Sequence, residues 1–282
     1  GIRNVGKGRI VAGISLDDAL KRLAIEPDVN APEVLWLHRT TDRADWYYVC
    51  APKGKGFRGT VDFRCSGRVQ LWDPVSGTVR DVPAEPKDDR TRVDIDLPAA
   101  GSCFVVFRKD GSKTPRIEAP EVVSTQTLTA PWELKFPEGW GAPASVELVD
   151  LKPWKDLDIS PEGKAFSGTA EYNSAFEIGP VKKDRHYILD LGDVERIAEV
   201  YVNGEFVRTL WTPPYSLDIT DRVRDGKNSI TVKVTNTWFN RLVYDAARPE
   251  SDRKTWVLKW PDQNAPLKES GLLGPVSIRT MQ

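Results

Sequence analysis

Between Val34 and Phe107 apolar and polar positions alternate with a period of two, the pattern of strands with one buried and one wet face. Val34-Leu35-Trp36-Leu37 and Asp45-Trp46-Tyr47-Tyr48-Val49-Cys50 flank a polar turn. Val61, Phe63 and Cys65 alternate with Asp62 and Arg64, Val93, Ile95 and Leu97 alternate with aspartates, and a last run ends at Phe107. Asp73-Pro74-Val75-Ser76-Gly77 is a turn by its chemistry, since Pro fixes φ and Gly takes a left-handed position. Residues 31–110 are therefore expected to form a small antiparallel β domain.

Ahead of it, Gly6 to Gly13 is a glycine-bounded apolar run that predicts one strand. Ser15 and Asp18 form an N-cap signature before Leu16, Ala19, Leu20 and Leu23, which recur at helical spacing. A single strand and helix cannot bury themselves, so residues 1–30 are expected to be the remnant of a preceding α/β region. Residues 111–127 are polar, carry Pro115 and Pro120, and predict a linker.

From residue 128 to 282 strand signals return at the spacing of a β-sandwich. Ile197 to Val202 leads through Asn203-Gly204 into Glu205-Phe206-Val207, and Asn-Gly suits a type I′ hairpin turn with φ > 0 at both central positions. Gly226-Lys227-Asn228 introduces Ile230, Val232 and Val234 in alternation with polar residues.

Composition narrows the function. Lys plus Arg (40) nearly balances Asp plus Glu (41), without a block of like charge, so neither nucleic acid nor an anionic membrane is an expected partner. No apolar run approaches the ~20 residues of a spanning helix. Gly1-Ile2-Arg3-Asn4 lacks a signal-peptide layout, and Met281 is the only methionine, so the chain reads as a processed product or a piece of something longer. Cys50, Cys65 and Cys103 match no zinc spacing and read as buried free thiols in strands. Ten tryptophans suit sandwich cores, and they also make flat surfaces for sugar rings. Trp132, Trp140 and Trp154 read as packing, while Trp211, before Pro213-Pro214, is a weaker candidate platform.

Several blocks resemble known families. Phe166 to Tyr172, Leu189 to Val194, Ala198 to Gly204, Pro214 to Thr220 and Gly226 to Asn228 resemble the galactose-binding-like jelly roll of family 2 glycoside hydrolases. Val34-Leu35-Trp36-Leu37-His38-Arg39, Leu71 to Gly77, Val234 to Leu242 and Ser270 to Val276, in this order, resemble the C-terminal part of glycoside hydrolase family 106, the α-L-rhamnosidases. The resemblance implies a mainly β fold, with a small antiparallel β domain followed by a galactose-binding-like jelly-roll β-sandwich. In that family the catalytic carboxylates lie in an upstream barrel, so no catalytic residue carries over. The parent protein is then expected to be an inverting glycoside hydrolase and this chain, inactive alone, a part that supports its barrel. The alternatives are an autonomous carbohydrate-binding module and a glycosidase with its own site in this chain. Carbohydrate and the upstream catalytic barrel of the same protein are the partners implied.

Hydrolysis of this kind uses two carboxyl groups about 6.5–9.5 Å apart. Most acids here, such as Asp62, Asp94, Asp96, Asp73 and Asp225, fall on polar strand parity or in turns, which are solvated positions. His38 and His186 are the only histidines and read as structural or surface residues, which leaves triads and transition-metal sites without bases or ligands. No cofactor is expected. A structural calcium stays open because oxygen ligands are plentiful, with no spacing that selects them.

The segment Asn236 to Asp245 combines aromatic, amide, guanidinium and carboxylate groups in what reads as one loop. Sugar recognition uses that mixture: a stacking face, bidentate hydrogen bonds and a charged acceptor. Trp238, Asn240, Arg241, Asp245 and Trp256 are the candidate carbohydrate-binding residues, with Trp260 on the same surface. The alternative is that Arg241 and Asp245, four residues apart, pair to pin the loop.

Overall fold

Strand Arg90–Leu97 shows how the period-two pattern is realised. Thr91, Val93, Ile95 and Leu97 are buried, while Asp94 and Asp96 face water. The computed structural model describes residues 1–112 and 121–282, and the chain divides into two compact units, Gly1–Glu118 and Ala119–Gln282. The fold is mainly β, built from antiparallel sheets.

In the N-terminal unit a four-stranded sheet runs in the order Val29–Asn30, Phe57–Phe63, Arg90–Leu97, Ala84–Lys87. A five-stranded sheet runs Leu35–Thr40, Ala44–Cys50, Ser102–Arg108, Arg68–Trp72, Val79–Asp81. Their apolar residues form one core in which Tyr47, Phe63 and Phe107 meet at ring separations of 4.8–5.8 Å. The N-terminal residues form a hairpin, Ile2–Val5 with Gly8–Val11, rather than one strand. Helix α1 (Leu16–Arg22) follows, and its cap is the expected one: Ser15 Oγ accepts from the Asp18 amide at 3.1 Å. Val29–Asn30 pairs with Phe63 and Asp62, so the small β domain begins earlier than the pattern suggested.

The two outer faces of this unit differ. On the four-stranded sheet the outward residues include Arg58, Arg92, Asp94 and Asp96. Across the five-stranded sheet the register aligns Leu37, Tyr48, Phe104, Trp72 and Val79 in one row, an apolar line over all five strands. Leu37, Trp72 and Val79 are exposed, and Leu35 lies beside the row at 67% exposure. A sheet face turned to water is ordinarily polar.

Asp62 corrects the parity rule. It points away from the core, yet it is only 6% exposed, because Arg92 (2.7 Å) and Lys87 (2.8 Å) close over it. These cations hold its carboxyl down at about 2. Asp45 also lies at about 2: burial pushes it up, but hydrogen bonds from Thr40, Lys109, Cys65 and His38 outweigh that. A carboxylate lowered by folding contributes stability that is complete above the ordinary carboxyl range, roughly pH 4, and is lost as pH falls towards its folded value. The N-terminal unit is therefore expected to lose stability between about pH 4 and 2, as followed by circular dichroism at fixed urea. Asp62→Asn should shrink that acid dependence; an unchanged acid limb would assign it to other groups.

Cys50 and Cys65 are half-buried rather than buried, and Cys103 is buried; all three are free. Burial pushes the Cys65 and Cys103 thiols up to about 12, which makes them poor nucleophiles.

In the C-terminal unit a six-stranded sheet runs Ser145–Leu148, Trp132–Lys135, Thr169–Ile178, Gly226–Thr235, Ile197–Val202, Glu205–Leu210. A four-stranded sheet runs Val122–Thr127, Ser277–Met281, His186–Asp190, Ser216–Asp218. Trp132, Leu134, Tyr172, Leu189, Val232 and Ile278 share the core between them. Val122–Thr127 lies within the expected linker and instead forms a strand paired with Ser277–Met281. The rest of that expectation, from residue 113 to 120, lies outside the described residues. The Asn203-Gly204 turn has φ of 53° and 80°, the signs a type I′ hairpin needs.

Candidate functional site

Strand Gly226–Thr235 ends beside the start of its neighbour Thr169–Ile178, since Thr235 pairs with Thr169. From there residues 236–270 make an excursion before Gly271–Gly274 returns to strand. Asn236 fixes its start by donating to Phe166 O (3.0 Å) and Ser270 Oγ (2.9 Å) and accepting from the Gly168 amide (2.9 Å).

The expected loop is in part a helix. Phe239–Ala246 is helical, and we label it α3, with a four-residue helix α2 (Pro161–Lys164) preceding it in the chain. The buried positions of α3 are Asn240, Arg241, Val243 and Asp245, so its inner face is largely polar. Asn240 donates to Lys268 O (2.8 Å) and accepts from the Lys268 amide (2.8 Å). Arg241, 1% exposed, pairs through Nη1 with Glu162 of α2 and through Nη2 with Asp245, both at 2.8 Å. Its guanidinium carbon lies 5.4 Å from the Trp140 ring centre and 5.2 Å from that of Tyr244, within the range of cation–π attraction.

Asp245 is fully buried. Its Oδ2 accepts from the amides of Lys254 (3.0 Å) and Thr255 (2.8 Å) and from Thr255 Oγ1 (2.7 Å). Burial alone would raise this carboxyl, but the bonds from Thr255 and Arg241 outweigh it and hold it below the usual range. Glu162 is likewise lowered by Arg241 and Lys254. Trp140, which the sequence marked only as packing, and Ser167, which accepts from the Arg241 amide, complete this frame with Glu162, Lys254 and Thr255, which no sequence signal marked.

Of the five candidate sugar-contact residues, Asn240, Arg241 and Asp245 are thus buried and bonded within the fold, which is the pinning arrangement. Trp238 (50%) and Trp256 (77%) face solvent. Trp238 meets Trp140 edge-on at 5.6 Å and 60°. Trp260 carries the Arg253 guanidinium over its ring at 4.6 Å. Two shallow clefts in this unit, of about 300 and 450 Å³, include neither Trp238 nor Trp256. Trp211 is exposed at 59%, while Trp132 and Trp154 are buried in the core.

Elsewhere, His38 bridges Asp28 (3.1 Å) and Asp45 (3.3 Å) and stacks on Tyr47 at 4.2 Å. His186 is exposed, with Asp218 at 3.3 Å. Among the described residues no three His, Cys, Asp or Glu side chains converge as a metal site.

Comparison with known proteins adds family matches. Residues 1–85 match the alpha-L-rhamnosidase family of glycoside hydrolase 106, and residues 164–273 match the glycosyl hydrolase 2 galactose-binding domain-like family. The structure of a rhamnosidase from Novosphingobium sp. PP1Y superposes with a TM-score of 0.85 at 33% identity, covering 99% of this chain and 27% of that one. A protein named "Putative beta-glucuronidase" from Formosa agariphila is 37% identical over 181 residues, 55% of this chain and 15% of its own length. A beta-galactosidase from Clostridium acetobutylicum is 32% identical over 90 residues, 30% of this chain and 10% of its own length. The chain thus spans about a quarter or less of each relative, and the family resemblance carried by the sequence blocks holds in both units.

Proposed function

We propose, starting from a chain that is a glycoside-hydrolase-related region, that it is a non-catalytic supporting part of an α-L-rhamnosidase-like hydrolase and packs on the catalytic barrel of the same polypeptide. The observation that carries this is the apolar row Leu37, Tyr48, Phe104, Trp72 and Val79 on the outer face of the N-terminal unit. An apolar face of that extent is the kind of surface that another domain covers. The state of the carboxyl groups supports the same reading. A general acid needs its carboxyl raised towards neutrality, and Asp28, Asp45, Asp62, Asp81, Asp110, Glu162 and Asp245 are displaced the other way, which sets these seven aside for that role.

A second reading, that the C-terminal unit also contacts carbohydrate, is favoured by Trp238 and Trp256. Both rings stand in solvent on a segment anchored by buried ion pairs. One set of measurements addresses both readings. The purified 282-residue chain should not hydrolyse an aryl α-L-rhamnoside, and turnover that persists through repurification would refute the supporting role. On a glycan array, Trp238→Ala or Trp256→Ala should weaken any binding about tenfold, or about 1.4 kcal/mol. Equal binding by parent and both variants would remove that surface as a sugar site.

A further inference from the structure

The outer face of the six-stranded sheet in the C-terminal unit is polar, unlike the apolar row of the N-terminal unit. Register aligns Lys135, Glu171, Lys233 and Glu199 in one row, and Glu133, Asn173, Thr231, Tyr201 and Phe206 in the next. These side chains are joined to one another. Asn173 Nδ2 donates to Glu171 Oε1 (2.9 Å), Thr231 Oγ1 donates to Asn173 Oδ1 (2.6 Å), and the Tyr201 hydroxyl donates to Glu199 (3.2 Å). Lys233 Nζ lies 3.7 Å from Glu171 and 5.1 Å from the centre of the Tyr201 ring. The Phe206 ring meets that of Tyr201 at 5.5 Å and stays 51% exposed.

At one end of this network the sheet parts. Pairing of Trp132–Lys135 with Thr169–Ile178 stops at Lys135 and Glu171. There a cleft of about 300 Å³ brings Phe136, Pro137 and Thr169 beside the charged groups of Lys135, Glu171 and Lys233. That volume lies at the lower end of small-ligand sites, and the mixture of apolar carbon with a few fixed polar groups is what such sites carry. Glu171 and Asn173 are ordered by their mutual bond, which lowers the cost of holding them for adjacent hydroxyls. Both lysines already face a carboxylate, Lys135 at 3.0 Å and Lys233 at 3.7 Å, so this face favours a neutral ligand over an anion. From Glu171 to Phe206 is three strand spacings, about 14 Å, the span of a short oligosaccharide.

We propose that this sheet face binds a neutral oligosaccharide, with one unit in the cleft against Glu171 and Lys233 and the next units crossing the strands to the exposed ring of Phe206. The site goes beyond the tryptophan surface, since neither Trp238 nor Trp256 lines the cleft.

Calorimetric titration of the 282-residue chain tests it with galactose, xylose and glucose trisaccharides, the matching monosaccharides and a galacturonate trisaccharide. At least one neutral trisaccharide should bind at about 1 mM or tighter, about tenfold better than its monosaccharide and than the acidic probe. High salt should leave that binding unchanged, because the ligand carries no charge. Glu171→Ala and Phe206→Ala should each weaken it about tenfold, with Phe206→Tyr close to the parent. Both side chains lie on the outer face, so the variants should melt with the parent. The double variant Trp238→Ala/Trp256→Ala silences the tryptophan surface and should leave binding that still responds to Glu171→Ala. Loss of all binding in that double variant overturns the sheet-face site and leaves the tryptophan surface standing. Binding untouched by Glu171→Ala and Phe206→Ala, equal affinity for monosaccharide and trisaccharide, preference for galacturonate, or no binding of any neutral probe also overturns it.

Discussion

Arg241→Ala lowers the stability of the C-terminal unit by about 3–5 kcal/mol, the usual cost of leaving a buried charge without its partner. Arg241 has two carboxylate partners, and Asp245 is wholly buried. With the guanidinium gone, Asp245 keeps the two amides and the hydroxyl of residues 254–255 but loses its cation. Trp140 and Tyr244 also lose the group that sits over both rings. Arg241→Lys should recover part of the loss, since an ammonium lacks the planar fork that reaches two carboxylates. Asp245→Asn should cost less than Arg241→Ala, because the amide oxygen still accepts from Thr255. Urea unfolding followed by tryptophan fluorescence measures these differences. A loss below about 1 kcal/mol for Arg241→Ala would place the pair among ion pairs that contribute little.

Gly271→Ala is expected to cost about 2–5 kcal/mol, combining overpacking with backbone strain. Gly271 has φ of +114°, and an added Cβ would fall 2.5 Å from Tyr172 Oη and 2.7 Å from Trp154 Nε1. Neither atom is free to withdraw. Trp154 Nε1 donates to Tyr172 Oη at 2.6 Å, and that oxygen accepts from the Leu272 amide at 3.1 Å. The chain of donors and acceptors lies in the core, where Trp154 and Tyr172 are fully buried. Thermal melts should show the loss directly, by roughly 2–4 °C per kcal/mol for a unit of this size. A melting temperature within 2 °C of the parent would mean that Trp154 and Tyr172 can move aside. The block Ser270 to Val276, which carries part of the family resemblance, thus has a packing reason for the first of its two glycines, Gly271.

The fold was legible where one residue type alone meets a local demand. Asn203-Gly204 supplies two positive φ angles in succession, and Ser15 supplies an oxygen for a free amide in the first turn of a helix. Period-two runs such as Arg90–Leu97 were legible because one face is buried. Helix α3 was not, since its inner face is Asn240, Arg241 and Asp245, which an apolar periodicity search reads as surface. Val122–Thr127 escaped because all six residues are exposed, which leaves no alternation to detect. Parity placed Asp62 outward correctly but could not show that Arg92 and Lys87 cover it. The frame beneath Trp238 depends on Glu162 and Trp140, about 80 and 100 residues before the helix, and on a backbone stretch after it. Only the folded chain brings those groups together.

The amides of Lys254 and Thr255 lie in a stretch without helix or strand, yet both end on a carboxylate sealed from water. Local breathing of that stretch would take three hydrogen bonds from a buried carboxylate, so opening it costs more than opening an ordinary loop. Trp256, next in the chain, therefore stands on a stiff stalk, and whatever settles against its ring meets a surface already set in place.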